Sequence, residues 1–454
     1  MKRILFFSFF AVLASALIAN AQSSKPEQQA AKTAADVLSR VTRLKGLKLA
    51  SKLSSQPPTS SDCLNQFGVP CYSPQNVRDA YGLTPLLNAG YMGSGETIVI
   101  IDSFGSPTIE QDLKTFDAGF GLPDPPSLTV LSPLGTVPFD PTDSTQVGWA
   151  GETTLDVEWA HAIAPGASIV LLTSPVDENE GVAGMPEFLK LEEYALDHHL
   201  GRIISQSWGT TENTLFNSAG LQVINNFEHF YAQAANEDIT VLASSGDTGS
   251  ANVDVNGNFY SFPTVLFPAS SPYVTAVGGA SLYLDSRGSY QSETVWNNAT
   301  GASGGGISQY FGEPLYQAFL PFSVQKKLRG YRGIPDVAYN ADPNTPILVY
   351  MGFFPNAGDN GYYLIGGTSA AAPQWAGIVA DANQLAGHPL GFLNPKLYLI
   401  GAAQKQCEFF HDITSGNNSF NSVPGYNATA GWDFASGWGT PNLGELLWEL
   451  GRDR

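Results

Sequence analysis

Glu96-Thr97-Ile98-Val99-Ile100-Ile101-Asp102 is an unbroken run of apolar, mostly β-branched residues that ends on an acid. A strand that is apolar at every position, instead of alternating, belongs in a sheet covered on both faces. The pattern recurs in Ala167-Ser168-Ile169-Val170-Leu171-Leu172, Arg202-Ile203-Ile204-Ser205 and Ile239-Thr240-Val241-Leu242-Ala243, with helical patterns between the runs. Strands of this kind alternating with helices predict an α/β fold, a parallel sheet with helices on both faces. The length beyond residue 61, about 390 residues, would suit two or three domains. No linker-like break interrupts it, so one enlarged domain over residues 61–454 is expected. The 47 Gly and 30 Pro predict many tight loops around the sheet.

The N-terminal end reads differently. Met1 to Ala21 carries Lys2 and Arg3, an apolar run from Ile4 to Ile18, and the small-x-small Ala19-Asn20-Ala21. These are the parts of a secretory signal peptide, and the run is shorter than the roughly 20 residues of a bilayer span. The remaining chain is expected to be secreted, extracellular or periplasmic, off the membrane and monomeric. Residues 22–60 form a Lys- and Ala-rich stretch with a helical apolar rhythm at Val37, Leu38, Val41 and Leu44, followed by a Ser- and Pro-rich linker. They read as a short pro-segment or basic arm.

Charge separates the same regions. The formal net charge is -19, yet residues 22–52 hold seven Lys/Arg against Glu27 and Asp36. The acidic balance therefore lies in the body beyond residue 52, which excludes a nucleic-acid partner for it. Such acidity suits either a well-solvated surface or work in acid, where protonated carboxyls stop repelling one another. Three Cys fit an export compartment; Cys63 and Cys71 are close enough to clip one small loop, leaving Cys407 over as a buried thiol.

Three stretches carry chemistry. Gly366-Gly367-Thr368-Ser369-Ala370-Ala371-Ala372-Pro373 delivers a hydroxyl on a glycine turn at the start of a small-residue helix. Ser369 reads as a nucleophile that needs a base; otherwise Thr368 or Ser369 simply caps the helix. None of the six His stands in a setting that would supply that base, and His161 reads as a packing or surface residue. Glu152 and Asp156 are four apart, so on a helix their carboxyls share one face and a proton. Alternatively they are two solvated acids on a surface helix. In Ala243-Ser244-Ser245-Gly246-Asp247-Thr248-Gly249 an acid follows an apolar strand, where ligand-binding groups tend to lie, though a turn aspartate would read the same.

Together, Glu-x-x-x-Asp, Ser-Gly-Asp-x-Gly and Gly-Thr-Ser-Ala-x-x-Pro resemble the sedolisin (serine-carboxyl peptidase) family, whose fold is an enlarged subtilisin. Further matching stretches are Ser73-Pro74-Gln75-Asn76-Val77-Arg78-Asp79-Ala80-Tyr81-Gly82, Ser207-Trp208-Gly209, Ser303-Gly304-Gly305-Gly306-Ile307-Ser308 and Pro335-Asp336-Val337-Ala338 with Ala341-Asp342-Pro343. The resemblance implies Ser369 as nucleophile, Glu152 as general base then acid, Asp156 as the residue orienting Glu152, and Asp247 as the oxyanion-hole acid. Asp247 can donate to a developing oxyanion only while protonated. An acid at Asp102 would extend the proton network toward Trp208, or else satisfy backbone donors at the strand end.

The resemblance also implies one structural Ca²⁺, held by the Asp412 and Asp433 carboxylates and the carbonyls of Ile413, Thr429 and Gly431, with Thr429 where relatives often have Gly. His411 is a poor partner for this ion. Members of the family usually carry a pro-domain of well over a hundred residues, which residues 22–60 do not match. The implied activity is a secreted, acid-active endopeptidase acting on proteins or peptides. The alternatives are a tripeptidyl-peptidase of the same family and an inactive extracellular binding protein that keeps the fold.

Overall fold

The computed structural model describes residues 57–403 and 406–452; the signal peptide, nearly all of the basic arm and the Cys407 side chain lie outside the described residues. The apolar runs form the middle of one sheet. Its strands are β1 (Thr97–Ser103), β2 (Leu128–Leu131), β3 (Ser168–Ser174), β4 (Ile203–Gln206), β5 (Thr240–Ser244), β6 (Thr275–Leu284), β7 (Tyr290–Val295) and β8 (Val337–Asn340). Seven of them are parallel in the order β8-β6-β5-β4-β1-β3-β2, and β7 pairs antiparallel with β6.

Successive side chains along a strand point to opposite faces, and here both directions meet apolar layers. Ile98 and Ile100 of β1, Ile169 and Leu171 of β3, Ile203 of β4 and Leu242 of β5 belong to one core. Their neighbours Val99, Ile101, Val170, Leu172, Ile204, Val241 and Ala243 belong to the other. The continuous apolar runs thus follow from two-sided burial, as the sequence predicts.

Helices α1 (Ser144–Ile163) and α4 (Thr368–Ala386) pack against each other on the first face; α2 (Met185–Asp197) and α3 (Ser218–Asn236) cover the second. From Gly148 to Ile163 every residue of α1 is buried, and so is every residue of α4 from Thr368 to Asn383. Helices buried all round are expected to lack a polar stripe, and the polar groups they do carry need a reason to be there. The helix Ser60–Phe67 is tied to the following loop by a Cys63–Cys71 disulfide with Cα atoms 5.8 Å apart, the expected pairing.

Close approach of α1 and α4 depends on Gly377. A Cβ at that position would lie 2.7 Å from Ile163 Cβ and 3.1 Å from the Ala160 carbonyl oxygen. Gly377→Val is expected to destabilise the protein by about 1–3 kcal/mol through overpacking, seen as a lower thermal unfolding midpoint. An unchanged midpoint would show slack between the two helices.

Candidate active site

Ser369 is placed by a hairpin. Strands Ile347–Met351 and Gly361–Ile365 pair antiparallel and run into Gly366-Gly367. Gly367 has φ 112°, a conformation that side chains oppose, and its N–H donates to the Ala341 carbonyl at 2.6 Å. The chain then turns into α4 with Thr368 and Ser369 as its first helical residues. Neither caps the helix, because the N-cap position is Gly367 and no side-chain capping bond forms. Pro373 sits one turn on and has no N–H for the Ser369 carbonyl. That carbonyl instead faces Ser207 Oγ at 3.4 Å.

The Thr368 hydroxyl has another task. Both Thr368 N–H and Oγ1 donate to Asp247 Oδ1 at 2.8 Å, and Gly246 N–H donates to Thr368 Oγ1 at 3.0 Å. The turn after β5 is therefore locked onto the start of α4. It is backed by the Ser303-Gly304 stretch: Gly304 N–H donates to the Gly246 carbonyl at 2.7 Å and Ser245 Oγ to the Gly304 carbonyl at 2.7 Å. Asp247, Ser369, Ser207, Trp208, Asn252 and Phe259 help line a cleft of about 710 Å³. The sequence offers Thr368 only as a helix cap and Ser207 only as part of a matching stretch, so neither of these roles is foreseen there.

Glu152 and Asp156 lie on α1, 7 % and 0 % exposed, so they are not solvated surface acids. Burial first, then the charges of Asp102 and Glu152, push the Asp156 carboxyl well above the usual range, with Ser207 opposing as a hydrogen-bond partner. Asp102, fully buried at the end of β1, is pushed by burial to about 7, with Thr153 as its opposing hydrogen-bond partner. Three carboxyl groups from β1 and α1 thus share one low-dielectric pocket beside the start of α4, and they hold protons collectively. Asp102 thus joins the proton-sharing group, but the further step to Trp208 is not seen: Trp208 Nε1 is buried without a hydrogen-bond partner and packs its ring on Phe188 and Phe227, and no backbone donor among the described residues reaches Asp102.

Other singled-out residues are structural. His161 is buried, with Nε2 2.8 Å from the Pro123 carbonyl and 3.2 Å from Asp117 Oδ1. Asp336 forms a buried two-pronged pair with Arg332 at 2.8 and 2.6 Å and accepts from the Tyr398 hydroxyl.

The C-terminal candidates converge on one loop. Asp412 Oδ2 accepts from Gly431 N–H at 3.0 Å and Asp433 Oδ2 from Thr429 N–H at 2.7 Å; Asp433 Oδ1 is held by Ala435 and Ser436. Ile413 is buried between strand and loop. Burial raises both carboxyls, Asp433 to about 6. Burial lowers His411 to about 4, so it adds no compensating charge near neutrality. A carboxylate oxygen with one hydrogen bond keeps a lone pair for a cation, and the oxygen-rich set fits Ca²⁺.

A protein-family model described as the subtilase family matches residues 145–439. Kumamolisin of Bacillus sp. (strain MN-32) is 38% identical over 377 residues, covering 82% of this chain and 62% of the relative. Tripeptidyl-peptidase sed4 of Aspergillus fumigatus is 34% identical over 346 residues, covering 65% and 53%. The chain therefore spans between half and two thirds of the length of these relatives. Among solved structures, Pseudomonas sedolisin, a serine-carboxyl proteinase complexed with pseudo-iodotyrostatin, superposes with TM-score 0.70 at 27% identity, covering 84% of this chain and 98% of that one.

Buried acids set a pH dependence of stability. Asp102, Glu228 and Glu293, each raised to about 7 by burial, and Asp112, raised to about 6, lie above their unfolded values near 4. Stability linked to them is full below about pH 4 and is lost as pH rises through about 6 to 7. The urea midpoint is expected to be higher near pH 4.5 than near pH 7.5, and Asp102→Asn to narrow the difference. Equal midpoints at the two pH values would contradict this account.

Proposed function

The chain belongs to the subtilase family, in its sedolisin (serine-carboxyl peptidase) branch, and from this premise we propose that it is a secreted, acid-active endopeptidase acting through Ser369. One observation carries the reading: the described lining of the Ser369 cleft holds the Asp247 and Glu180 carboxyls and no imidazole, and Ser207 of that lining is the hydrogen-bond partner of the buried Asp156 beside Glu152. A serine hydroxyl needs a base that still works in acid, and a carboxyl group that shares protons with neighbours meets that need.

Ser369 Oγ attacks the peptide carbonyl while Glu152 takes its proton. Glu152 then protonates the leaving amine, and water resolves the acyl-enzyme by the reverse transfers. Asp156, whose carboxyl burial holds in its protonated form, orients Glu152. Asp247 uses Oδ1 to accept from Thr368, so its proton belongs on Oδ2, directed at the developing oxyanion. Rate is lost as pH rises and Asp247 becomes an anion.

The tripeptidyl-peptidase mode is the alternative, supported by relatives of that name. Cleavage of a long peptide with a blocked N-terminus separates the two, since release of N-terminal tripeptides needs a free end.

Peptide hydrolysis is expected to peak in acid when followed from about pH 2 to 8, across the carboxyl and imidazole ranges. Ser369→Ala is expected to abolish it, and Asp247→Ala to lower kcat by about 100- to 1000-fold. Asp247→Asn keeps a donor and should flatten the alkaline limb. A peak above neutral, or full activity in Ser369→Ala, sinks the proposal.

We also propose one structural Ca²⁺ at Asp412, Ile413, Thr429, Gly431 and Asp433, supplying positive charge between the buried Asp433 and half-buried Asp412 carboxylates. A chelator is expected to lower the thermal midpoint and added Ca²⁺ to restore it. Asp412→Asn should remove the response; a native protein indifferent to both treatments would exclude the ion.

A further inference from the structure

Away from Ser369, a groove of about 900 Å³ is lined by Pro272, Tyr273, Leu315, Tyr316, Phe319 and Phe392, with Leu399 at its edge. Its walls are carbon. The Tyr316 hydroxyl turns inward to the Pro272 carbonyl at 2.7 Å and that of Tyr398 to Asp336 at 2.8 Å. Leu315 and Phe319 of this lining, and Phe322 three residues further along the chain, stand 78 %, 76 % and 83 % exposed. One exposed apolar residue is ordinary, but three between residues 315 and 322, two of them lining an apolar groove, form a patch that calls for a partner.

Charge narrows the choice of partner. The groove is lined from residues 272–273, 314–319 and 392–403, and none of these stretches contains an Asp or Glu in a sequence that has 41. Beyond the middle stretch the chain presents Lys326, Lys327 and Arg329, all exposed, while Arg332 is neutralised by Asp336 beneath the surface. Phe322 and Lys326 are four apart on the helix Phe322–Leu328 and share a face. Glu313, just ahead of the stretch, is half-buried.

We propose that this face docks on the surface of an anionic phospholipid bilayer, with Leu315, Phe319 and Phe322 entering the acyl boundary and Lys326, Lys327 and Arg329 meeting the headgroup phosphates. A peptide partner would bring backbone N–H and C=O groups into walls that cannot pair with them. Hydrocarbon has no such need, and exposed apolar side chains followed closely by bases are what a charged interface selects. This is a surface contact: among the described residues no helix is long and apolar enough to cross a membrane. It modifies the expectation of a chain without membrane contact, and does not depend on the peptidase reading. In about 0.1 M salt the Debye length is about 10 Å, so the acidic remainder of the body is screened from the patch.

The test is co-sedimentation of the full chain with phosphatidylcholine vesicles, pure or with roughly a third phosphatidylglycerol, in that salt. The native protein is expected to bind the anionic vesicles. The combined variant Leu315→Ser, Phe319→Ser, Phe322→Ser and, separately, Lys326→Glu with Lys327→Glu should each lower partitioning at least about tenfold. Unchanged thermal midpoints in both variants would show that the fold is intact. Binding to neither vesicle, equal binding to both, or undiminished binding of either folded variant would overturn the proposal. So would capture of polyglutamate that competes away the vesicles and ignores the Leu315/Phe319/Phe322 changes, since the partner would then be an acidic polymer.

Discussion

Three carboxyl groups, those of Asp102, Glu152 and Asp156, sit too close together and too far from water to ionise at once. Much of the architecture can be traced to that constraint. To exclude water from them, α1 is buried on every side and presses against the sheet, and α4 must approach closely enough to cover them. Small residues make that approach possible: Gly377 stands where a single carbon would collide with Ile163. Burial also sets the chemistry. A pocket that raises Asp156 and Asp102 keeps protons at a pH where exposed carboxyls have lost them. The fold and its proton inventory come from one packing arrangement.

The sheet was legible because two-sided burial leaves a plain mark. The runs at Ile98, Ile169, Ile203 and Val241 are apolar at successive positions, and each became a strand of the parallel core. Strands β6 and β8 are richer in Ala, Gly and Tyr, so the same test passes over them. The placement of Ser369 and Asp247 at one cleft could be read from motif order. What Thr368 does could not, since a hydroxyl shows its target only once residues 121 apart are brought together. Asp102 left two readings open for a like reason: its neighbours are Thr153 and Asp156 on α1, which its place at a strand end does not show. The Glu152–Asp156 spacing was compatible with a wet surface helix; only the all-round burial of α1 removes that option.

Charge is distributed as unevenly as burial. Acids are spread over most of the body, yet they are missing from the stretches that line the apolar groove, and the exposed bases Lys326, Lys327 and Arg329 follow the middle one. The cleft and the groove are thus chemically opposite surfaces on one rigid support. Between groove and core lies the Arg332–Asp336 pair, which buries a full positive charge under Tyr316 without letting it reach the surface.

The contacts that complete the cleft are all distant in the chain. Ser207 meets the Ser369 carbonyl across 162 residues, and Asp247 meets Thr368 across 121. Contacts of such long range pay their loop-closure entropy before they return any stability, so they form late in folding. The start of α4 takes its contacts from the turns after β4 and β5 and from the hairpin before Gly367. A nascent or half-folded chain therefore holds a serine and several carboxyls but no constellation of them. For a chain proposed to cleave peptides, a cleft that needs the whole fold is a cleft absent from any unfolded copy.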